Sequence, residues 1–226
     1  RRDGAFRPDV DLESAAELPP ACVALVGSPS NPSGTLLPVA EAVRLGRTCA
    51  TVVVDERHGG YGARSLLPIV REFDNMVVVQ SLETWAALED FPIAWAVGHP
   101  RLIERLAREV PQPPALGAVL AATATFDDLA WVNGTVRRVR EERSRLYRML
   151  RKSNLVQPLP SWSNFMLVRV ERGNAGFVAA ELANRAILVA RPAAPELAQF
   201  LRIGVGKPEH TDRLRQALIE VALLVD

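Results

Sequence analysis

Residues 51–58 read Thr-Val-Val-Val-Asp-Glu-Arg-His, a β-branched apolar run that ends abruptly in two acids, an arginine and a histidine. Such a run is typical of a strand buried on both faces, as in parallel sheets. In open α/β sheets, ligands bind just beyond the carboxyl ends of the strands. Asp55 is therefore the first candidate for a functional residue, although an acid at a strand end can also simply cap the following turn.

A βαβ unit contains this strand. Residues 21–26 are apolar, 27–35 are dense in Gly, Pro, Ser and Asn, and 37–46 have a helical pattern that leads into the strand at 50–54. That order predicts two parallel strands joined by a helix. Further helices are predicted at 12–18, 65–72, 101–109 and 115–124, and further strands at 76–80 and 93–97.

The second half of the chain has a different pattern. Segment 127–153 has the apolar spacing of one long helix, and we place a domain boundary inside it, near residue 130. The prediction is an α/β protein, with a partial α/β domain around a mainly parallel sheet at 1–130. The long helix and a small α+β domain follow at 131–226. The small domain has strands predicted at 165–170, 187–190 and 201–205 and helices predicted at 175–184 and 208–224.

Composition limits the classes of partner. The 226 residues are 48% hydrophobic and 23% charged with a net charge of +1, as in a soluble globular protein without an electrostatic case for nucleic acid or an anionic membrane. No apolar run approaches the roughly 20 residues of a membrane span. Cys22 and Cys49 are isolated, which favours a reducing, cytoplasmic compartment over a disulfide framework. The arginine-rich segment 137–151 is interrupted by Glu141 and Glu142, so we interpret it as a solvated helix face and expect no nucleic acid.

Three motifs carry a resemblance to a known family. Residues 30–35 read Ser-Asn-Pro-Ser-Gly-Thr, 52–56 read Val-Val-Val-Asp-Glu, and 200–206 read Phe-Leu-Arg-Ile-Gly-Val-Gly. Softer matches lie at 163–165 and 190–192. In order and spacing they resemble the class I/II aminotransferases, the fold-type-I pyridoxal-phosphate (PLP) enzymes. The branch that looks most similar contains histidinol-phosphate aminotransferase and threonine-phosphate decarboxylase.

The resemblance implies a fold and a set of site residues. It covers residues 6–225 and implies a partial PLP-transferase large domain, truncated at its N-terminus by roughly the first third of the family pattern. It implies cofactor-binding roles for Asn31 near the ring hydroxyl, Asp55 at the pyridine nitrogen and Ser81 at the phosphate. It implies anion-binding roles for Arg202, at the substrate α-carboxylate, and for Arg191. Purely structural roles stay open as alternatives, since 30–35 is also a good turn sequence and Arg202 could be an ordinary strand arginine.

The same resemblance to the family pattern implies a damaged cofactor site. Thr84 takes the place of the family's Schiff-base lysine, Pro92 that of an arginine that grips the phosphate, and His58 that of a tyrosine near the ring hydroxyl. The chain's two lysines, Lys152 and Lys207, lie far from this motif in sequence. PLP chemistry requires a lysine amine to hold the cofactor covalently, so no cofactor is expected, although the family implies PLP.

These observations favour a degenerate aminotransferase-like protein that acts as a non-catalytic binding or interaction module. By resemblance it would be a homodimer, and a small anionic metabolite is a possible ligand. One alternative is an aminotransferase or decarboxylase acting on an amino acid or its phosphorylated derivative. Another is a site repurposed for acid–base chemistry by Asp55 and His58. A metal site at residues 55–58 is not expected, because a fourth ligand with recognisable spacing is missing.

Overall fold

Two compact units make up the chain. The computed structural model describes residues 21–62, 64–109 and 113–225, so the helix predicted at 12–18 lies outside the described residues. Residues 1–31 and 35–134 form the first unit, and residues 32–34 and 135–226 form the second. The division falls inside a long helix, where the boundary near residue 130 was also predicted. The assignment of residues 1–130 and 131–226 to two domains stays a prediction.

The first unit contains a four-stranded sheet in the order β1-β2-β3-β4. Strands β1 (Val23–Gly27), β2 (Thr51–Asp55) and β3 (Met76–Ser81) are parallel, and β4 (Ala94–Gly98) is antiparallel to β3. Helix α1 (Val39–Thr48) connects β1 to β2. The mainly parallel sheet with connecting helices confirms the predicted α/β fold class.

Alternation along β2 gives the two sheet faces different surroundings. Val52 and Val54 are fully buried in a cluster with residues of α1 and of α2 (Leu67–Val70). Thr51, Val53 and Asp55 are only partly buried, and they point to the other face because strand side chains alternate. The unit also contains helices α3 (Pro100–Glu109) and α4 (Leu116–Asp127).

The second unit is a three-stranded antiparallel sheet with helices packed on one face. Helix α5 (Leu129–Leu150) begins in the first unit and leads into it. Its strands are β5 (Val156–Pro158), β6 (Phe165–Val170) and β7 (Phe200–Gly204), in that order, and its further helices are α6 (Ala175–Ala183) and α7 (Pro208–Ala222). The core contains Leu150 of α5, Leu201 of β7 and Val221 of α7, all fully or almost fully buried. Asn174 caps α6 by accepting hydrogen bonds from the backbone amides of Gly176 and Phe177.

Two details of the strand prediction were wrong. The strand predicted at 187–190 is a single bridge, in which the backbone groups of Ala190 and Arg202 exchange hydrogen bonds of 3.1 and 2.8 Å. Pro192 follows two residues later and has no amide hydrogen with which to extend a ladder. Conversely, β5 was missed because it has only three residues and ends in a proline, which only an edge strand tolerates.

Within the described ranges, no helix is long and apolar enough to span a membrane. Both cysteines are free thiols.

The core of the second unit allows a direct test of the packing. We expect Leu150→Ala, which removes a fully buried side chain, to lower the free energy of unfolding by about 2–5 kcal/mol because it leaves a cavity. Leu223→Ala is the matched control, since Leu223 is 83% exposed, and should change it by less than about 0.5 kcal/mol. Urea denaturation followed by circular dichroism measures both, and equal losses would contradict the packing described.

Candidate functional site

Asp55 does not present a free carboxylate at the end of β2. The Arg57 guanidinium holds it in a fork: Nε lies 3.0 Å from each carboxylate oxygen, and Nη2 lies 2.8 Å from Oδ2. The backbone amide of Arg57 also donates to Oδ1 at 3.0 Å. The side chain of Asp55 is 26% exposed and that of Arg57 is 50% exposed. The carboxylate of Asp55, the first candidate from the sequence, therefore forms an ion pair with an arginine only two residues away.

The pKa of Asp55 is lowered as a result. Partial burial by itself would raise it, but the hydrogen bonds and charge of Arg57 outweigh that effect, and the charge of His58 lowers it further. Asp55 is thus ionised at neutral pH, and it is a weak base.

Glu56, the next residue, has a structural role on the opposite face of the sheet. Its buried carboxylate accepts hydrogen bonds from the hydroxyl of Ser65 at 2.7 Å, the amide of Leu66 at 2.6 Å and the side-chain amide of Gln80 at 2.8 Å. These bonds tie the start of α2 to the ends of β2 and β3. The two acids of the motif therefore perform different tasks.

Thr84 lies in the loop after β3, which is fastened to the loop after β2. Its hydroxyl donates to the carbonyl oxygen of Arg57 at 2.7 Å, and the hydroxyl of Tyr61 donates to the carbonyl of Thr84. Gly60 has to be a glycine here, because a Cβ at that position would lie 2.1 Å from Cγ of Trp85. Glu83 approaches the Arg57 guanidinium to 4.0 Å. The resulting network joins Asp55, Arg57 and the Thr84 loop.

The remaining predicted residues of the first unit differ in environment. Ser81 ends β3, two residues after the partner of Asp55 in the ladder, so both side chains point to the same sheet face. Ser81 is fully buried, and its hydroxyl has no hydrogen-bond partner in the described parts of the chain. Asn31 is exposed in the turn after β1, and His58 precedes a 3₁₀ turn at Gly59–Tyr61.

Arg202 and Arg191 both belong to the second unit. Arg202 lies on the sheet face opposite the helices, with its guanidinium carbon 4.1 Å from the ring centroid of Phe165. Its buried Nε has no hydrogen-bond partner among the described residues, and burial lowers the pKa of the guanidinium. Arg191 follows the bridge between Ala190 and Arg202, and its guanidinium lies against Gly176 in the first turn of α6. Arg202 thus has a buried donor that no described residue uses.

Metal binding has no support in residues 21–62, 64–109 and 113–225. No group of three or more His, Cys, Asp or Glu side chains in these ranges is placed to hold an ion.

Arg57 and Tyr61 are functional residues that the motifs do not predict. Both lie in the segment 57–62 that follows the Asp-Glu pair. An arginine two residues after a strand-end acid can fold back onto that acid, and this proximity was the only available signal. Tyr61 had no local signal, since its partner Thr84 is 23 residues away.

Comparison with known proteins identifies the family. The model of aminotransferase class I and II matches residues 9–218. The chain belongs to the class I and II aminotransferase family. This agrees with the motifs at 30–35, 52–56 and 200–206.

Curated relatives point to one branch of the family. Histidinol-phosphate aminotransferase 2 of Rhizobium meliloti is 34% identical over 226 residues, which cover 97% of this chain and 63% of the relative. Histidinol-phosphate aminotransferase of Pseudomonas putida is 34% identical over 197 residues, covering 84% of this chain and 56% of the relative. The chain therefore spans less than two thirds of the length of these relatives.

Solved structures support the same fold. The histidinol-phosphate aminotransferase of Clostridium acetobutylicum superposes with a TM-score of 0.82 at 15% identity, covering 94% of this chain and 66% of that one. The enzyme of Sinorhizobium meliloti, solved in complex with pyridoxal-5'-phosphate, gives a TM-score of 0.77 at 20% identity, covering 89% and 57%. The fold is thus that of part of a PLP-dependent transferase.

The Asp55–Arg57 pair predicts a pH-dependent contribution to stability. Because the native pKa of Asp55 is lowered, this contribution is fully present above about pH 4, the unfolded value, and is lost as the pH falls through the native pKa. We expect Arg57→Ala to cost about 0.5–1 kcal/mol of unfolding free energy at pH 7 and nothing at strongly acidic pH. Urea denaturation across this range measures it. In the control Arg71→Ala, which breaks an exposed pair with Glu72, the pKa of Asp55 from carboxyl NMR should not move, whereas Arg57→Ala should raise it.

Gly60 gives a test of the fastened loops. We expect Gly60→Ala to displace the Trp85 ring and loosen the Thr84 loop, because the new methyl group would overlap the ring. Hydrogen exchange of the amides in 82–88 should accelerate. Gly134→Ala is the matched control, since a Cβ there meets nothing within 4 Å and an alanine in a helix stabilises by about 0.5–1 kcal/mol. Unchanged exchange in Gly60→Ala would contradict the contact.

Proposed function

We propose that this chain is a non-catalytic member of the aminotransferase family that binds a small anionic metabolite. The observation that carries the proposal is the fork of Arg57 on Asp55, together with Thr84 where the family alignment has the Schiff-base lysine. Both residues lie in the loops at the carboxyl ends of β2 and β3.

The described residues do not fit PLP as a covalently held cofactor. A threonine hydroxyl cannot form an imine, and that of Thr84 is already engaged with the carbonyl of Arg57. Lys152 and Lys207 belong to the second unit, where Lys207 immediately precedes α7. Pro92 stands where the alignment has the arginine of the phosphate clamp and offers no donor.

The state of Asp55 also opposes cofactor binding. A carboxylate that pairs with a pyridinium nitrogen has to be ionised and accessible. Asp55 is ionised, but the fork of Arg57 uses both its oxygens. Its lowered pKa also makes it a poor general base, which favours a binding role over the acid–base alternative with His58.

Two retained groups support anion binding. The buried Ser81 hydroxyl can donate to a phosphate or carboxylate oxygen, and hydrogen bonding would satisfy an otherwise unpaired buried group. Arg202 offers an unused Nε donor on a guanidinium that Phe165 holds in place, and a planar fork suits a carboxylate. Each group acts within its own unit of the chain.

The assembly that accompanies this function is a homodimer in a cytoplasmic setting. Its support is the family resemblance and the exposure of Val23 and Leu25 on the edge strand β1, which are 67% and 74% exposed. Size-exclusion chromatography with light scattering measures the state directly, and a monomer across micromolar concentrations would exclude it.

Adding PLP tests whether the protein forms a Schiff base with this cofactor. We expect no absorbance band between 300 and 450 nm beyond that of free PLP, and no borohydride-reducible adduct in the purified protein, because Thr84 has no amine. The variant Lys152→Arg/Lys207→Arg controls for surface lysines and should give the same spectrum. Peptide mapping locates any adduct. A specific reducible adduct, or transamination of L-histidinol phosphate, would favour the enzymatic alternative of the family.

Arg202 provides the second test of the proposal. We expect L-threonine O-3-phosphate to bind, and Arg202→Gln to weaken this binding about tenfold, because a charged donor is lost. Arg202→Lys should recover only part of it, since a lysine lacks the fork. Arg169→Gln is the control: it is also a strand arginine, but it pairs with Glu171. Isothermal titration calorimetry gives the affinities, and equal binding by all four proteins would contradict the role of Arg202.

A further inference from the structure

A groove between α5 and α7 is a second possible binding surface, separate from the residues that the family resemblance selects. It lies within the second unit and has a volume of about 950 Å³. None of the predicted cofactor or substrate residues lines it. Its floor is apolar, with Met149 from α5 and Leu218 and Ala222 from α7.

Positive charge is concentrated along this groove. Arg145 is neutralised, since it pairs with the buried Glu142 and with Asp212, the one acid among the lining residues. The other lining cations have no ion-pair partner among the described residues: Arg148, Lys152, Arg172 and Arg215. Arg172 donates a hydrogen bond to the backbone carbonyl oxygen of Val225, whereas the side chains of Arg148, Lys152 and Arg215 have no such partner among the described residues.

The lining residues follow the turns of the two helices. Arg145, Arg148 and Lys152 recur at intervals of three and four residues along the α5 side. Arg215, Ile219 and Leu223 recur at intervals of four residues along α7 and its end. At a rise of about 1.5 Å per residue, the α7 side extends for more than two helical turns. The groove is therefore elongated, as a helical ligand requires.

Apolar side chains extend the floor to the rim. Ile219 and Leu223 line the groove and are 50% and 83% exposed. Exposed aliphatic side chains beside cations form an amphipathic surface, whose complement has a stripe of aliphatic residues with carboxylates beside it.

We propose that this groove binds an acidic amphipathic helix of a partner protein. Helices bind in grooves through apolar residues at i, i+3, i+4 and i+7. Glutamates beside that stripe would reach Arg148 and Lys152 on one rim and Arg215 on the other. The charge complementarity favours this occupant over a compact phosphate, which would leave the apolar floor and Leu223 uncovered.

Fluorescence anisotropy with the full chain tests the proposal. The probe is a labelled helical peptide of about 15 residues with leucines on one face and glutamates beside them. We expect it to bind, and binding should weaken when the ionic strength rises from about 0.05 M to about 0.3 M. The same peptide with lysines in place of the glutamates should not bind.

Charge-reversal variants locate the site. Arg148→Glu/Lys152→Glu/Arg215→Glu should weaken binding at least about tenfold, since several exposed ion pairs act together. The control Arg105→Glu/Arg108→Glu/Arg137→Glu makes the same change of net charge at exposed residues outside the groove and should bind as the wild type does. Circular dichroism confirms that both variants are folded, and Leu223→Ser supplies a neutral variant that should also bind more weakly.

Three results would overturn the proposal. Equal weakening in the control variant would mean that net charge alone drives binding. Binding of the lysine peptide would remove the role of the cations. Displacement by inorganic polyphosphate together with unchanged binding in Leu223→Ser would identify a simple anion site.

Discussion

The pairing of Arg57 with Asp55 determines the charge and the loop contacts at the carboxyl end of β2. A strand buried among parallel neighbours delivers its last residue to the edge where such sheets bind ligands. Here that residue is Asp55, whose ionised carboxylate is neutralised by the guanidinium of Arg57, two residues further along the chain. A bidentate arginine is among the stronger partners a carboxylate can have, so an incoming cationic group would have to displace it.

The same pair links the chemistry of the site to its mechanics. Arg57 binds Asp55 with its side chain and Thr84 with its carbonyl, so the loops after β2 and β3 share one hydrogen-bonded network. Tyr61 adds a second bond between these loops. Loops held in this way position their side chains without help from a ligand. This network stabilises the sheet edge in a chain that has the fold of its family.

The sequence was sufficient for the architecture and for the identity of the family. Strong periodicity located β2 and β6, and β6 was predicted with the bounds that the structure has. The motifs were recognisable because they combine strand ends with turn residues. Prediction failed where pairing is non-local or minimal, as in the three-residue β5 and the single bridge at Ala190. Periodicity carries no information about a strand that has only one partner residue.

The site was predictable only in part, for a related physical reason. A motif shows which residue reaches the sheet edge, but it does not show which neighbour neutralises that residue. Asp55 could be selected from its position alone, whereas the roles of Arg57 and Glu56 depend on which face each side chain takes. Glu56 is directed to the other face by strand alternation and becomes a structural acceptor for Ser65 and Leu66.

Charge balance differs between the end of β2 and the α5–α7 groove. At the end of β2, the partly buried carboxylate of Asp55 and the guanidinium of Arg57 pair with each other, and the pair stabilises the folded chain. Along the α5–α7 groove, Arg148, Lys152 and Arg215 have no ion-pair partner among the described residues, and the aliphatic side chains of Ile219 and Leu223 are exposed beside them. Water solvates the cations well, but the contact of the aliphatic side chains of Ile219 and Leu223 with water stays unfavourable. A surface of this kind is stabilised by a partner that covers its apolar part while matching its charge, because burial removes aliphatic side chains from water and the ion pairs replace part of the hydration of the cations.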